Sequence, residues 1–273
     1  MTGENISAYR ALSESLGYTF GALGRVAAIG APYAGLTILA IAAYFAVLFG
    51  LIYGGLLTAV APIYVIGILL GLAVILIFVA AYISYARDYY YGDPSPIGPT
   101  YWPSLGRMLL VMLIIIGISI PFLLAYGIVV YLALSGSLTT ESSVWIVSAI
   151  IFIVWIALIL FFSAKLATYV ASAAVGKPQT MGQAWGSTSG ATFRILLAIL
   201  AFSLLFFIAD FGLTQIVKLA TGIDPEMTSS ANFDSGYSIA VIVVTNLIRL
   251  VIYLLQIAVS AAFGTSLFRQ VEA

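Results

Sequence analysis

Four ionisable side chains stand inside otherwise apolar runs: Lys165, Asp210, Lys218 and Arg249. A charge at the centre of a bilayer costs at least ~2.5–3.5 kcal/mol, so charges in such runs are expected to pair or to line a polar space. Asp210 lies about ten residues from the outer end of the fifth apolar run, a depth of ~15 Å at the rise of a helix. Arg249 lies about eleven residues into the sixth run from the same side, at ~16 Å. Lys165 stands at a similar height in the fourth run, and Lys218 is two turns outward from Asp210 with Thr214 between them. Asn246, Arg249, Tyr253, Gln256 and Ser260 recur at spacings that put them on one side of a helix. A shorter stripe, Lys165, Thr168/Tyr169 and Ser172, marks the fourth run. Both polar faces are expected to turn away from lipid. Two uses of these groups stay open. Asp210 and Arg249 form an interhelical clamp, or Lys165, Asp210 and Arg249 line a cavity of net charge +1 that favours an anionic headgroup or solute.

Composition narrows the chemistry. The chain has 63% hydrophobic and 7% charged residues, against roughly 25% charged in soluble domains, so its solvent is lipid. Cysteine and histidine are both absent, which removes thiol nucleophiles, imidazole bases and the usual zinc and haem ligands. Asp210 or Glu141 alone would have to do acid–base work, and no metal or other cofactor is implied. A Schiff base on Lys165 with Asp210 as counter-ion is disfavoured by six spans and the lack of a carboxylate relay. Asp224, Glu226 and Asp234 form an acidic loop without calcium-loop spacing. Zero net charge and the absence of a basic run argue against nucleic acid as a partner. Asn5-Ile-Ser7 fits a glycosylation pattern but falls on the inner side of the topology given below.

The elements that must position these residues follow a repeat. The stretch 16–25, LGYTFGALGR, returns without a gap as 185–194, WGSTSGATFR. Gly17 falls on Gly186, Thr19 on Thr188, Gly21 on Gly190, Ala22 on Ala191 and Arg25 on Arg194. Leu105-Gly106-Arg107 is a weaker third echo, and each arginine precedes a long apolar run. The expectation is a single all-α membrane domain over 1–273, a polytopic protein of six transmembrane helices. They form three parallel hairpin repeats, about 7–86, 93–176 and 180–266.

Amphipathic interfacial helices precede spans one and five. In the first, Tyr9, Leu12, Leu16, Phe20 and Leu23 share the apolar side. The spans fall near 32–53, 60–86, 107–134, 144–175, 195–220 and 238–266. The first hairpin turns around Gly54-Gly55 and Pro62. Prolines at 94, 96, 99 and 103 set a loop over 87–106, whose Tyr89, Tyr90, Tyr91, Tyr101 and Trp102 suit the headgroup layer. Gly176-Lys177-Pro178 reads as a helix stop, and Thr180-x-x-Gln183 as a capping box.

Arg10, Arg25, Arg87, Arg107, Lys177, Arg194 and Arg269 all fall at one set of span ends, which places both termini in the cytoplasm. The start, Met-Thr-Gly-Glu-Asn, lacks a basic signal-peptide region, so the first span is expected to direct insertion. Gly182-Gln183-Ala184-Trp185 after an amphipathic lead, then Phe193-Arg194 opening a span, resembles a group of bacterial six-helix inner-membrane proteins. That group is classed with the membrane domain of some glycerophosphodiester phosphodiesterases. The resemblance implies an inner-membrane, multi-pass architecture and carries no functional residue. The leading expectation is a non-enzymatic integral membrane protein that binds lipid or partner proteins, in an assembly, accessory or membrane-organising role. The alternative is a small transporter or lipid-translocating protein with a charged intramembrane site between spans four, five and six.

Overall fold

In the computed structural model the described residues are 6–53, 60–95, 99–135, 141–225 and 236–273. They form helices α1 (Ala8–Gly21), α2 (Leu23–Tyr53), α3 (Val60–Tyr91), α4 (Tyr101–Leu134) and α5 (Glu141–Lys165). Then come α6 (Ala167–Ala174), α7 (Met181–Ser187), a 3-10 turn at Ser189–Ala191, α8 (Thr192–Thr221) and α9 (Gly236–Glu272). Among the described residues there is no strand. Six helices, α2, α3, α4, α5, α8 and α9, are long and apolar enough to cross a membrane, so the chain is an all-helical, multi-pass protein.

Several boundaries differ from those expected. The segment after Arg87 is not a loop: α3 continues through Tyr91, and Gly92, at φ 75°, ends it. Pro103 does not delay α4, because it stands in the first turn, where backbone N–H groups have no helical partner. The fourth span is not one helix. It breaks at Leu166, whose φ of −103° and ψ of 10° separate α5 from α6. The first span starts at Leu23, with Pro32 inside it. Pro62 belongs to α3, while Gly54 and Gly55 lie outside the described residues, as do Pro96, Glu226 and Asp234.

Other local signals act as their chemistry requires. Ser7 caps α1, accepting from the Arg10 N–H at 3.2 Å. At α7 the Thr180 N–H donates to Gln183 Oε1 at 2.8 Å and the Gln183 N–H to Thr180 Oγ1 at 3.2 Å. Gly176, at φ 79°, reverses the chain after α6.

The buried residues concentrate at one end, the end that carries most of the basic residues. The last third of α9, including Ala258, Ala261, Phe263 and Leu267, is enclosed there by α1, α3, α6 and α8. Small residues allow this close approach. A Cβ on Gly264 would come within 3.0 Å of the Ala167 carbonyl oxygen on α6 and 3.1 Å of Tyr82 Oη on α3. Away from this end the helices show bare apolar flanks, such as Leu39 and Phe45 of α2, Leu123 and Leu124 of α4, and Ile150 and Ile153 of α5. In the most apolar stretches of α4 and α5 no residue is buried by protein.

The apolar side of α1 is divided in the structure. Ala8, Ala11, Ser15 and Thr19 are buried, with Leu12 and Leu16 beside them. Tyr9 at 83% exposure, Phe20 and Leu23 point outward. Small residues make the closest contact, which lets α1 lie close along α9, with Leu12 and Leu16 packed at its edge.

Candidate functional site

At mid-height α8 and α9 meet through the pair expected from the sequence. Arg249 Nε donates to Asp210 Oδ1 at 3.0 Å, and its Nη2 to Thr214 Oγ1 at 2.6 Å. Thr214, one turn after Asp210 on the same face, passes its own proton to the Asp210 carbonyl oxygen at 3.2 Å. The side chains of Arg249 and Asp210 are 13% and 30% exposed. Charge is thus neutralised across two adjacent spans, with the Asp210 side chain still partly exposed.

The structure does not bring Lys165 to this pair. Lys165 ends α5, and its ammonium donates to Ser189 Oγ at 3.1 Å and lies 5.2 Å from the centre of the Trp185 ring. Those partners precede α8, and Asp210 lies ~27 Å along that helix from Thr192 at 1.5 Å per residue. The three-charge cavity is therefore not formed. The helix break at Leu166 explains the placement: it frees the Lys165 carbonyl, which accepts from Thr188 Oγ1 at 3.0 Å, and it carries the side chain back onto the 185–189 segment. Phe161 and Phe162 pack edge-on against Trp185 at the same joint. Thr19, the repeat counterpart of Thr188, is also fully buried, yet its hydroxyl has no partner among the described residues.

Lys218 pairs with Asp224 at 3.0 Å beyond the Gly222 turn, at an exposed rim, and not with Asp210. The α9 stripe does not turn inward as a unit. Asn246 is exposed and donates to its own helix at the Ile242 carbonyl, and Tyr253 is 43% exposed. Gln256 and Ser260 are half-buried. The stripe is roughly 80° wide at 100° per residue, and the packed face of α9 is centred nearer Thr245 and Arg249, which leaves one edge of the stripe outside.

Arg25 and Arg194 stand in the first turns of α2 and α8, while Arg107 lies about two turns into α4, because that helix begins at Tyr101. Arg25 makes bonds of 2.6 and 3.1 Å to Asp88 Oδ1 and one of 3.1 Å to the Gly92 carbonyl. Tyr18 donates to the other oxygen of Asp88 at 2.8 Å. Arg107 donates to the Tyr169 carbonyl and Ser172 Oγ, with its guanidinium 4.6 Å from the centre of the Tyr169 ring. Arg194 is exposed and has no hydrogen-bond, ion-pair or ring partner among the described residues.

Around Arg25 and Asp88 lies a polar network that sequence reasoning missed. The Glu14 carboxylate accepts from Arg10 at 2.7 Å, Tyr89 at 2.9 Å and Ser266 at 2.6 Å, which ties α1 to α3 and α9. Burial raises the Glu14 pKa, but the hydrogen bonds from Ser266, Arg10 and Tyr89 outweigh it and hold the group below its ordinary range. Tyr90 donates to Glu272 at 2.5 Å and accepts from Lys177 at 2.8 Å. Hydrogen bonds to Tyr90 and Glu272 raise the Lys177 pKa. Arg269 donates to the Tyr90 carbonyl at 2.6 Å, and Tyr91 to the Val175 carbonyl at 2.8 Å. The three tyrosines expected at the headgroups are hydrogen-bonded within the protein instead. The signal for this was present: Tyr82, Tyr85 and Asp88/Tyr89 continue a helical face through the segment read as a loop.

No family model, no curated protein and no solved structure matches this chain.

Proposed function

We propose that the chain is a non-enzymatic integral membrane protein that binds lipid or partner proteins and acts as an assembly, accessory or membrane-organising factor. The reading includes three parallel hairpin repeats, α1 and α7 as interfacial helices, and both termini on the cytoplasmic side of a bacterial inner membrane. It also keeps the kinship with the membrane domain of glycerophosphodiester phosphodiesterases.

One observation carries it. Within five residues before each of Arg25, Arg107 and Arg194 a large apolar side chain is exposed at the basic end: Leu23 at 49%, Trp102 at 73% and Phe193 at 70%, with Tyr9 and Phe20 of α1 in company. Cations flanked by outward aromatic and apolar groups suit the boundary between headgroups and acyl chains. The acids described at this end, Glu14, Asp88, Asp93 and Glu272, are bound to cations of the same fold. Their arrangement builds a platform. Mass spectrometry of the protein released from native membrane, with a pull-down, tests the reading. Co-purifying subunits or retained lipid support it, and turnover of a small molecule or headgroup by the isolated chain contradicts it.

The transporter alternative keeps one supporting observation, the partial exposure of the Asp210 side chain at membrane depth. A solute flux into vesicles that Asp210→Asn abolishes would favour it.

A further inference from the structure

Among the cations at the basic end, Arg194 is the one without a partner in the described protein, and it lines a groove. Arg10, Arg25, Arg87 and Lys177 hold carboxylates. Arg107 and Arg269 hold carbonyl oxygens and rings, and Lys165 holds Ser189 Oγ and the Trp185 ring. The groove has a volume of about 470 Å³. Arg194, Leu197 and Ala201 of α8 line it, together with Ile6 just before α1 and Tyr9 and Leu12 of α1.

The order of chemistry along α8 is informative. Arg194, Leu197 and Ala201 share one face of α8 at successive turns. They run ~10 Å from the charged start of the helix toward the middle of the span. A cation therefore sits at the level of the other interfacial arginines, and an apolar channel descends from it along a membrane-crossing helix. A free anion would satisfy the cation and leave the channel bare. An apolar peptide would fill the channel and leave the guanidinium unmatched. A molecule with a negative headgroup joined to an alkyl chain satisfies both.

We infer that this groove binds an anionic phospholipid, its phosphate on Arg194 and one acyl chain along Leu197 and Ala201 against Leu12. The inference rests on the lipid-binding reading above and assigns that reading a place and a charge preference. The lipid lies beside a joint between α1 and α8 that Ala8, Ala11 and Ala198 already close.

The test uses the full chain in detergent, titrated with phosphatidylglycerol or phosphatidylcholine and read by native mass spectrometry. Wild type is expected to retain one phosphatidylglycerol in preference to phosphatidylcholine. Arg194→Gln should lower phosphatidylglycerol retention about fivefold, as expected for one interfacial cation, and bring it to the phosphatidylcholine level. Ala201→Phe, which blocks the channel and keeps the cation, should lower retention of both lipids. Arg10→Gln, at the same end but outside the groove, should change neither. Thermal melts of the Arg194→Gln protein should match wild type, since no bond within the described protein is lost.

Phosphatidylglycerol retained equally by Arg194→Gln overturns the inference and leaves the lipid-binding reading standing. Displacement of the lipid by inorganic phosphate overturns it too, because the site is then one for a free anion. If wild type retains neither lipid and no partner co-purifies, the broader reading fails with it.

Discussion

The two ends of α9 are built on different principles. Near its C-terminus every side of the helix meets another element: small residues let α1 and α6 approach, and Ser266, Arg269 and Glu272 bond to Glu14, Tyr90 and Lys177. Four turns and more toward its N-terminus the same helix holds α8 through Arg249, Asp210 and Thr214, while Val243, Val244, Leu247 and Ile248 stay exposed. The loosely packed N-terminal end is the more apolar of the two, so hydrophobicity does not explain the closer packing of the other. In lipid, tails are as apolar as leucine, and association depends on close packing of small residues and on hydrogen bonds. The basic end has both in quantity. Among the described residues, the far end of α9 is joined to α8 by the polar cluster of Arg249, Asp210 and Thr214.

The largest expected effect breaks the packing at the basic end. Gly264→Leu would drive its side chain into the Ala167 carbonyl and Tyr82, at distances where even a Cβ is crowded. Overpacking costs about 1–3 kcal/mol and more when backbone is the obstacle, so a loss of about 3 kcal/mol is expected. Yield of monodisperse protein and its melting temperature in detergent report it.

Next is Asp210→Asn, which leaves the Arg249 guanidinium without its counter-charge. The ceiling from soluble cores is about 3–5 kcal/mol, but polar contacts between membrane helices are worth about 0.6–2 kcal/mol, and the smaller range is expected. The swap Asp210→Arg with Arg249→Asp should restore most of it if the pair is a clamp. If the pair lines a site, stability returns and ligand binding does not.

A smaller effect comes from acid. The Glu14 pKa lies below its unfolded value, so its stabilising contribution is present above the ordinary carboxylate pKa near 4.5 and is lost as pH falls through the lower folded value. Below that point α1 should loosen from α3 and α9, and proteolysis within α1 should accelerate. Glu14→Gln should flatten this acid response. The smallest effect belongs to Lys218→Ala, which removes an exposed rim pair worth about 0–1 kcal/mol, and its melt should be close to wild type.

The same comparison explains what could be read in the sequence. Six apolar runs and the Thr180/Gln183 capping box are local signals, and they appear as helices and a cap. The depth of Asp210 and Arg249 followed from counting residues on antiparallel neighbours, and the two side chains meet at 3.0 Å. The break at Leu166 was not legible, because Ala164-Lys165-Leu166-Ala167 contains no glycine or proline and the bend is held by Thr188 and Trp185, more than eighteen residues away. That single misreading placed Lys165 at mid-membrane beside Asp210. The tyrosine network was hidden for a related reason. Prolines 94, 96, 99 and 103 drew the end of α3 five residues too early, at 86 rather than Tyr91, and Tyr89–Tyr91 then looked like unpartnered interfacial rings.

The membrane sidedness of the hairpins is accessible to single cysteines. Labelling at Ser95 and Gln179 should need access to the cytoplasmic face, as at Gly3, whereas Thr139 and Ser229 should react from outside. Gly3, Thr139 and Ser229 lie outside the described residues. The reverse pattern at two of these sites would contradict six spans with both termini inside.

The contrast between a bonded basic end and a loosely joined far end is tested most directly by pulsed electron paramagnetic resonance in lipid nanodiscs. Spin labels at the exposed positions Leu23, Trp102 and Phe193 report the basic ends of α2, α4 and α8, and labels at Phe49, Tyr131 and Leu219 report the far ends. Narrow distance distributions among the first set and broad ones among the second are expected. Equally narrow distributions at both ends would show that the far halves are held as firmly as the basic end, and would contradict the account.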